Sequence, residues 1–349
     1  RNQNIIFAEI DNFKNDLNKN MKLTLVKKDW LQISNEIIHI YELLRKRFFA
    51  KSVAYQEYIS LEIDEINFIN SIFLKYADRS QKFSRFSKAI LSGWAAWVIL
   101  DHEKFDWCLH IEPIDELYEI KDFLAQNNII FLSSFRRDNF FQSYAKKHNI
   151  KIKSSIKFQS YFTEQKILIY APSRLMLPNN PLFVKSTVDK CIKFASLSKG
   201  SSVFLLNEFN LKMKLATQLA SIYGQRVMLE NHPRFENQIV FSSYDWWFDN
   251  LHKIAAPDQI IIPLLPMPNM EEPLNKFTVE FIRSKSKNWF REFIFPESFQ
   301  KLDKAISPLR KNAGKLIILD GRINNRSWGR EILEMIQPQR EINFMLPFD

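Results

Sequence analysis

The chain has 349 residues, 46% of them hydrophobic and 25% charged, with a formal net charge of +10. That leaves room for about two domains with a core in each, at a composition ordinary for a soluble globular protein. No apolar run reaches membrane-spanning length and no signal-peptide pattern opens the chain; the two cysteines, Cys108 and Cys191, and the six scattered histidines exclude an iron–sulfur or zinc site built by this chain alone. The expectation is a cytoplasmic protein with no metal bound by its own side chains and no membrane contact.

In chain order, residues 5–13 (IIFAEIDNF) form an apolar run ending in acids. It reads as a buried strand delivering Glu9 and Asp11 at its C-terminal edge, where ligands gather in open parallel sheets. Residues 28–90 hold apolar positions at helical spacing without one Gly or Pro, which predicts two to four helices. Their Arg45, Lys46, Arg47 cluster reads either as a solvated helix end or as a nucleic-acid contact. Residues 93–113 alternate like paired strands, 114–126 read as a helix, and 127–134 as a strand with Ser133 near its end, followed by a helix over about 139–147.

A second α/β unit starts near Lys166. Residues 167–183 end a strand and enter a Pro/Asn-rich linker. Beyond it the pattern predicts a helix, strand 201–207, helix 211–224, strand 226–230, strand 238–248 carrying Trp246 and Trp247 at its end, and strand 258–269. Alternation of this kind argues a doubly wound parallel sheet. The two tryptophans suit base stacking or core packing, since neighbours on a strand face opposite ways.

Two features bear on ligands. The six glycines (93, 200, 224, 314, 321 and 329) include no pair with the spacing of a Gly-x-x-x-x-Gly-Lys-[Ser/Thr] phosphate loop, whose close backbone wrap needs glycine. Residues 283–330 hold twelve Lys/Arg against four acids, an excess of eight, with Trp289, Phe290, Phe293, Phe295 and Trp328 between them. That pattern suits a phosphate backbone with bases stacking nearby, or a solvated face; the nucleic-acid reading selects Arg283, Lys285, Lys287 and Arg326 with Trp246 and Trp247.

The stretch PLRKNAGKLIILDGRINNRSWGREIL, residues 308–333, resembles the last motif of the DinG/XPD-type superfamily-two DNA helicases. In that family Gln-x-x-Gly-Arg-x-x-Arg is followed by a strand ending in Leu-Asp-x-Arg, then Tyr-Gly and a closing helix. Gly314, Leu319, Asp320, Arg322, Trp328 and Gly329 keep the frame, while Lys311 stands at the Gln, Lys315 at the first Arg and Ile318 at the second. The turn at residues 264–274 matches the family's Leu-Pro…Pro-Leu through Leu265, Pro266, Pro273 and Leu274. Glu9 takes the Glu of the family's Asp-Glu-Ala-His strand, with Ala8 at the Asp and Asp11 at the His. Ser133 takes the Ser of Ser-Ala-Thr, and residues 242–249 fall at Ser-Phe-Trp-Glu-Gly-Val-Asp without the Gly.

The resemblance implies an α/β fold with RecA-like parallel sheets in two lobes. Residues 1–27 and 92–165 would form the first lobe, 28–91 a helical insertion in it, and 166–349 the second lobe. It implies ATP and Mg²⁺ as cofactors, single-stranded DNA as partner, and a phosphate-binding loop upstream of Arg1. It assigns Glu9, Asp11 and Lys315 to catalysis, and Ser133, Arg310, Lys311, Gly314 and Arg322 to the nucleotide. With the Mg²⁺-ordering Asp and both arginine-finger positions replaced, two functions stay open: an ATP-dependent DNA helicase, and a pseudo-helicase that binds nucleic acid or a protein partner without turning over ATP.

Overall fold

The structure is a computed structural model that describes residues 4–7, 16–17, 19–52, 58–132, 145, 151, 153–154, 156, 165–172, 174–198, 200–230 and 237–342. The chain separates into two compact units, Arg1–Ile156 with Asn269–Trp289, and Lys157–Pro268 with Phe290–Asp349.

In the first unit, β1 (Asn4–Phe7) and β6 (Asn128–Phe131) pair in parallel. A four-stranded antiparallel sheet has the order β2 (Leu23–Leu25), β5 (Asp106–Glu112), β4 (Ala95–Asp101), β3 (Tyr58–Ser60). Alternation decides what this sheet buries: Ala96, Val98 and Leu100 of β4 and Trp107, Leu109 and Ile111 of β5 join one core with four helices, Lys27–Leu31, Asn35–Lys51, Ile63–Lys75 and Gln81–Leu91. The helix Asn35–Lys51 buries Ile37, Tyr41, Leu44 and Phe48, four positions on one helical stripe. At the centre Trp30 is fully buried, with its ring 5.4–6.0 Å from those of Tyr41, Phe73, Phe83 and Trp107.

Local chemistry sets the turns. Ser80 Oγ accepts from Phe83 N at the start of Gln81–Leu91. The helix ends in a Schellman turn, with Trp94 N donating to Ala89 O at 3.1 Å and Gly93 N to Ile90 O at 2.9 Å. Gly93 sits at φ +77°, a left-handed conformation that glycine adopts without a Cβ penalty. The predicted helices at 28–90 are present, with β3 inserted among them. The helix Pro273–Ser284 belongs to this unit and packs against β3 and β4, whereas the sequence reading counted it with residues 166–349.

The second unit is a seven-stranded sheet in which every pairing is parallel. Its order is β13 (Gln339–Glu341), β7 (Ile167–Tyr170), β12 (Lys315–Ile318), β11 (Gln259–Ile262), β8 (Ser202–Leu205), β10 (Ile239–Ser242), β9 (Val227–Leu229). β8, β10 and β11 are buried at all four positions, as strands covered on both faces should be. The expected α/β fold with parallel sheets is present. The chain leaves β8 toward β9 and leaves β11 in the opposite direction toward β12, so the topological switch point lies between β8 and β11.

Two predicted strands end early here. Residues 238–248 split into β10 and the helix Tyr244–Asn250, because Ser243 Oγ caps the helix by accepting from Trp246 N; Trp246 and Trp247 are therefore helical. Residues 258–269 pair only over Gln259–Ile262, since Pro263, Pro266 and Pro268 offer no N–H to a ladder.

Candidate nucleic-acid interface

The Leu-Asp-x-Arg frame is a buried junction. Asp320 is fully buried at the C-terminal end of β12. Its carboxylate accepts from Leu265 N at 2.8 Å, Arg322 N at 2.9 Å, Arg322 Nε at 3.0 Å and Arg322 Nη2 at 2.6 Å. The two best-matched motifs of the sequence therefore touch: Leu265–Pro266 after β11 is held to Asp320 after β12. Burial and the nearby Asp320 charge push the Tyr244 hydroxyl well above its ordinary pKa. Two glycines of the segment serve close approach: a Cβ on Gly321 would lie 2.3 Å from Met176 O, and one on Gly329 2.1 Å from Ile323 O.

Several residues assigned to nucleotide chemistry make contacts within the fold. Gly314 is buried before β12, where a Cβ would lie 2.6 Å from the Leu309 side chain. Lys315 opens β12, half-buried, and Ile318 is fully buried within it. Arg310 is 5% exposed, and its Nη2 donates to Asp303 Oδ1 at 2.5 Å and to Gln337 O at 3.3 Å. Arg322 is committed to Asp320. Lys311 is exposed. Glu9, Asp11 and Ser133 lie outside the described residues.

The family pattern places Gln-x-x-Gly-Arg-x-x-Arg before the strand, and the frame read from the sequence runs it into β12. Ahead of β12 come the helix Phe295–Ile306 and the 3-10 helix Ser307–Lys311. The first carries Gln300, Asp303 and Lys304, with exposed Ser307 just beyond, at the same Gln-x-x-x-x-x-x-x spacing. Lys304 Nζ lies 4.7 Å from the Phe248 ring centre. The helix thus offers the motif a second register, through Gln300 and Lys304, beside the one read through Gly314 and Lys315.

At the switch point the helix Phe209–Tyr223 begins beside β8, and its N-terminus is already occupied by an anion. The Glu208 carboxylate accepts from Asn210 N at 3.2 Å and from Leu211 N, the position a phosphate takes in nucleotide-binding sheets. Next to it, the ends of β9 and β10 are latched through Glu230, which accepts from Ser243 N at 2.6 Å, Ser243 Oγ at 2.9 Å and Lys212 Nζ at 3.1 Å. Burial opposes ionisation of Glu230, but these donors outweigh it and hold its carboxyl below the usual range.

The basic segment is divided. Arg283, Lys285 and Lys287 are exposed in the first unit. There the Arg283 guanidinium lies 5.3 Å from the Trp289 ring centre and Lys285 Nζ 3.8 Å from that of Phe281. Arg326 is exposed in the second unit. Trp247 is fully buried and donates from Nε1 to Ala305 O at 2.9 Å, which removes it from base stacking in this conformation; Trp246 is half-buried one position earlier. Among the described residues no group of three or more His, Cys, Asp or Glu stands together to hold a metal ion, and no helix is long and apolar enough to cross a membrane.

No family model matches the chain. A curated relative, the ATP-dependent DNA helicase YoaA of Haemophilus influenzae, is 19% identical over 93% of this chain. The chain spans about half of that relative, 53% of its length. Three solved structures share the fold over 97% of the chain: an apo XPD (TM-score 0.53, 11% identity, 76% of its length), S. tokodaii Xpd4 (0.54, 12%, 75%) and an XPD helicase (0.55, 11%, 68%). In sequence and in fold, the chain is similar to the DinG/XPD-type superfamily-two helicases.

Proposed function

We propose that the chain binds single-stranded nucleic acid as part of a DinG/XPD-type helicase, and that the lobe formed by its second unit does not complete an ATP-hydrolysing centre. One observation carries the second clause: the arginines near the motif that could replace the missing fingers are spent inside the fold, Arg310 on Asp303 and Arg322 on Asp320. Registering the motif on the helix Phe295–Ile306 keeps the family's Gln as Gln300. It puts Asp303 at the Gly, and Lys304 and Ser307 at the two arginines. Neither register supplies a planar guanidinium fork for charge developing on a transferred phosphate.

Of the described residues assigned to the nucleotide, Lys311 is exposed and three others are engaged within the fold, which weighs against ATP. Arg310, Gly314 and Arg322 are held in internal contacts, and the helix N-terminus at the switch point already has the Glu208 carboxylate. For nucleic acid, the support is the set of exposed cations Arg283, Lys285, Lys287, Lys311 and Arg326. The second reading, an ATP-dependent DNA motor, is favoured by the similarity to a relative of that name.

ATP hydrolysis by the full-length protein, with and without oligo-dT, separates the two, with binding measured in parallel at two salt concentrations. The expected result is salt-sensitive binding, its log–log slope about −0.7 per phosphate neutralised, without DNA-stimulated turnover. DNA-stimulated turnover would establish the motor, and absence of binding at low salt would overturn both.

A further inference from the structure

A cavity of about 390 Å³ opens in the second unit where β7 and β13 end and the chain crosses from β12 to β13. Its walls differ in chemistry. Ile169, Ile323 and Leu333, each no more than 5% exposed, form an apolar floor, while Asn324, Asn325, Arg326, Ser327, Arg330 and Glu341 give it a polar rim. Arg330 is already held by Glu334 at 3.2 Å and by Glu341, which also lines the cavity, at 3.0 Å. Arg326 makes no side-chain hydrogen bond or ion pair among the described residues, and Ser327 stands exposed beside it.

The volume is that of a small-ligand pocket, and an apolar floor beside a polar rim with one uncommitted arginine matches one nucleotide, whose base has apolar faces and whose phosphate is anionic. We propose that this cavity is a nucleotide-unit site, with Arg326 and Ser327 taking the phosphate and Ile169, Ile323 and Leu333 taking the sugar or base. Arg326 supplies the fork that suits phosphate oxygens; Arg330 is spent on its two carboxylates, which leaves Arg326 as the uncommitted cation of the lining. The site rests on the nucleic-acid reading above and gives it a place. The same chemistry is offered by a unit within a strand and by a free nucleotide.

The test uses the full chain with isotope-labelled Ile and Leu methyls, titrated with oligo-dT and separately with dTMP, and anisotropy of labelled oligo-dT on Arg326→Ala, Arg326→Lys and Arg340→Ala. For a strand unit, oligo-dT shifts the Ile169, Ile323 and Leu333 methyls. Arg326→Ala then weakens binding about tenfold and lowers the magnitude of the salt slope by about 0.7, Arg326→Lys restores the slope, and Arg340→Ala, at an exposed arginine outside the cavity, changes neither. Methyl shifts with dTMP alone support the site with a free nucleotide as its occupant. Unshifted methyls with both probes, and unchanged oligo-dT affinity in Arg326→Ala, overturn the site while leaving the nucleic-acid reading intact. Failure of the unaltered chain to bind oligo-dT overturns that reading, and the site with it unless dTMP moves the methyls.

Discussion

The Asp320 carboxylate holds the β11 and β12 loops together by accepting from Leu265 N and Arg322. Asp320→Ala would leave a half-buried guanidinium and a buried amide without their acceptor, and we expect a loss of about 3–5 kcal/mol in chemical denaturation. Trp247 and Trp246 should part in the same assay. Trp247→Ala removes a fully buried indole and its bond to Ala305 O, at about 3–5 kcal/mol, and Trp246→Ala costs clearly less. In the first unit, His110 is buried beneath Trp97 and its pKa is pulled down to about 4, first by burial and then by the Lys22 charge. The unfolded chain therefore binds a proton on this residue at a pH where the folded one does not. Stability is full above about pH 6.5 and falls as pH drops toward 4; His110→Gln should flatten thermal unfolding over that window.

Among the elements, the helix Pro273–Ser284 ends as the helix before Gly93 does, with Lys287 N donating to Ile282 O and Ser286 N to Arg283 O, but the left-handed position is held by Ser286 at φ +53°. Ser286→Gly should relieve that conformation and stabilise the first unit by about 1 kcal/mol, without removing a charge from the Arg283, Lys285, Lys287 cluster. The two candidate positions for the motif's second arginine should differ in the same assay. Ser307 is exposed after the helix Phe295–Ile306, and Ile318 is fully buried in β12. Ser307→Arg should leave the denaturation midpoint nearly unchanged, whereas Ile318→Arg forces a charge into the sheet and should prevent folding. A tolerated Ile318→Arg would show that β12 admits a charge at that position.

For the whole molecule, each unit has a core of its own: one centred on Trp30, the other built on the seven-stranded sheet. Separate cores favour separate unfolding transitions. Calorimetry should resolve two, and Asp320→Ala should lower only one, leaving intact the near-ultraviolet dichroism of the Trp30–Tyr41–Trp107 cluster. A single transition shifted as a whole by Asp320→Ala would show that the units unfold as one. The cations that the sequence gathers between residues 283 and 330 are shared between these units, because the chain passes from one to the other between Trp289 and Phe290.

Period and turn chemistry along the sequence are enough to locate many of the elements: the stripe of Ile37, Tyr41, Leu44 and Phe48, the alternation through β4 and β5, and the buried strand β8 each follow from neighbours a few residues away. The same local chemistry hid the helix Tyr244–Asn250, where a run of aromatic residues imitated a strand and the Ser243 cap decided otherwise. Only the tertiary structure decided which candidate residues are available. Arg310 and Arg322 look like free cations until Asp303 and Asp320 are placed beside them, and Trp247 looks like a stacking platform until Ala305 closes over it. Burial and ion pairing of these groups depend on packing between elements distant along the chain or on the local fold of a loop, so the sequence carries the family resemblance but not the fate of the residues on which its chemistry depends.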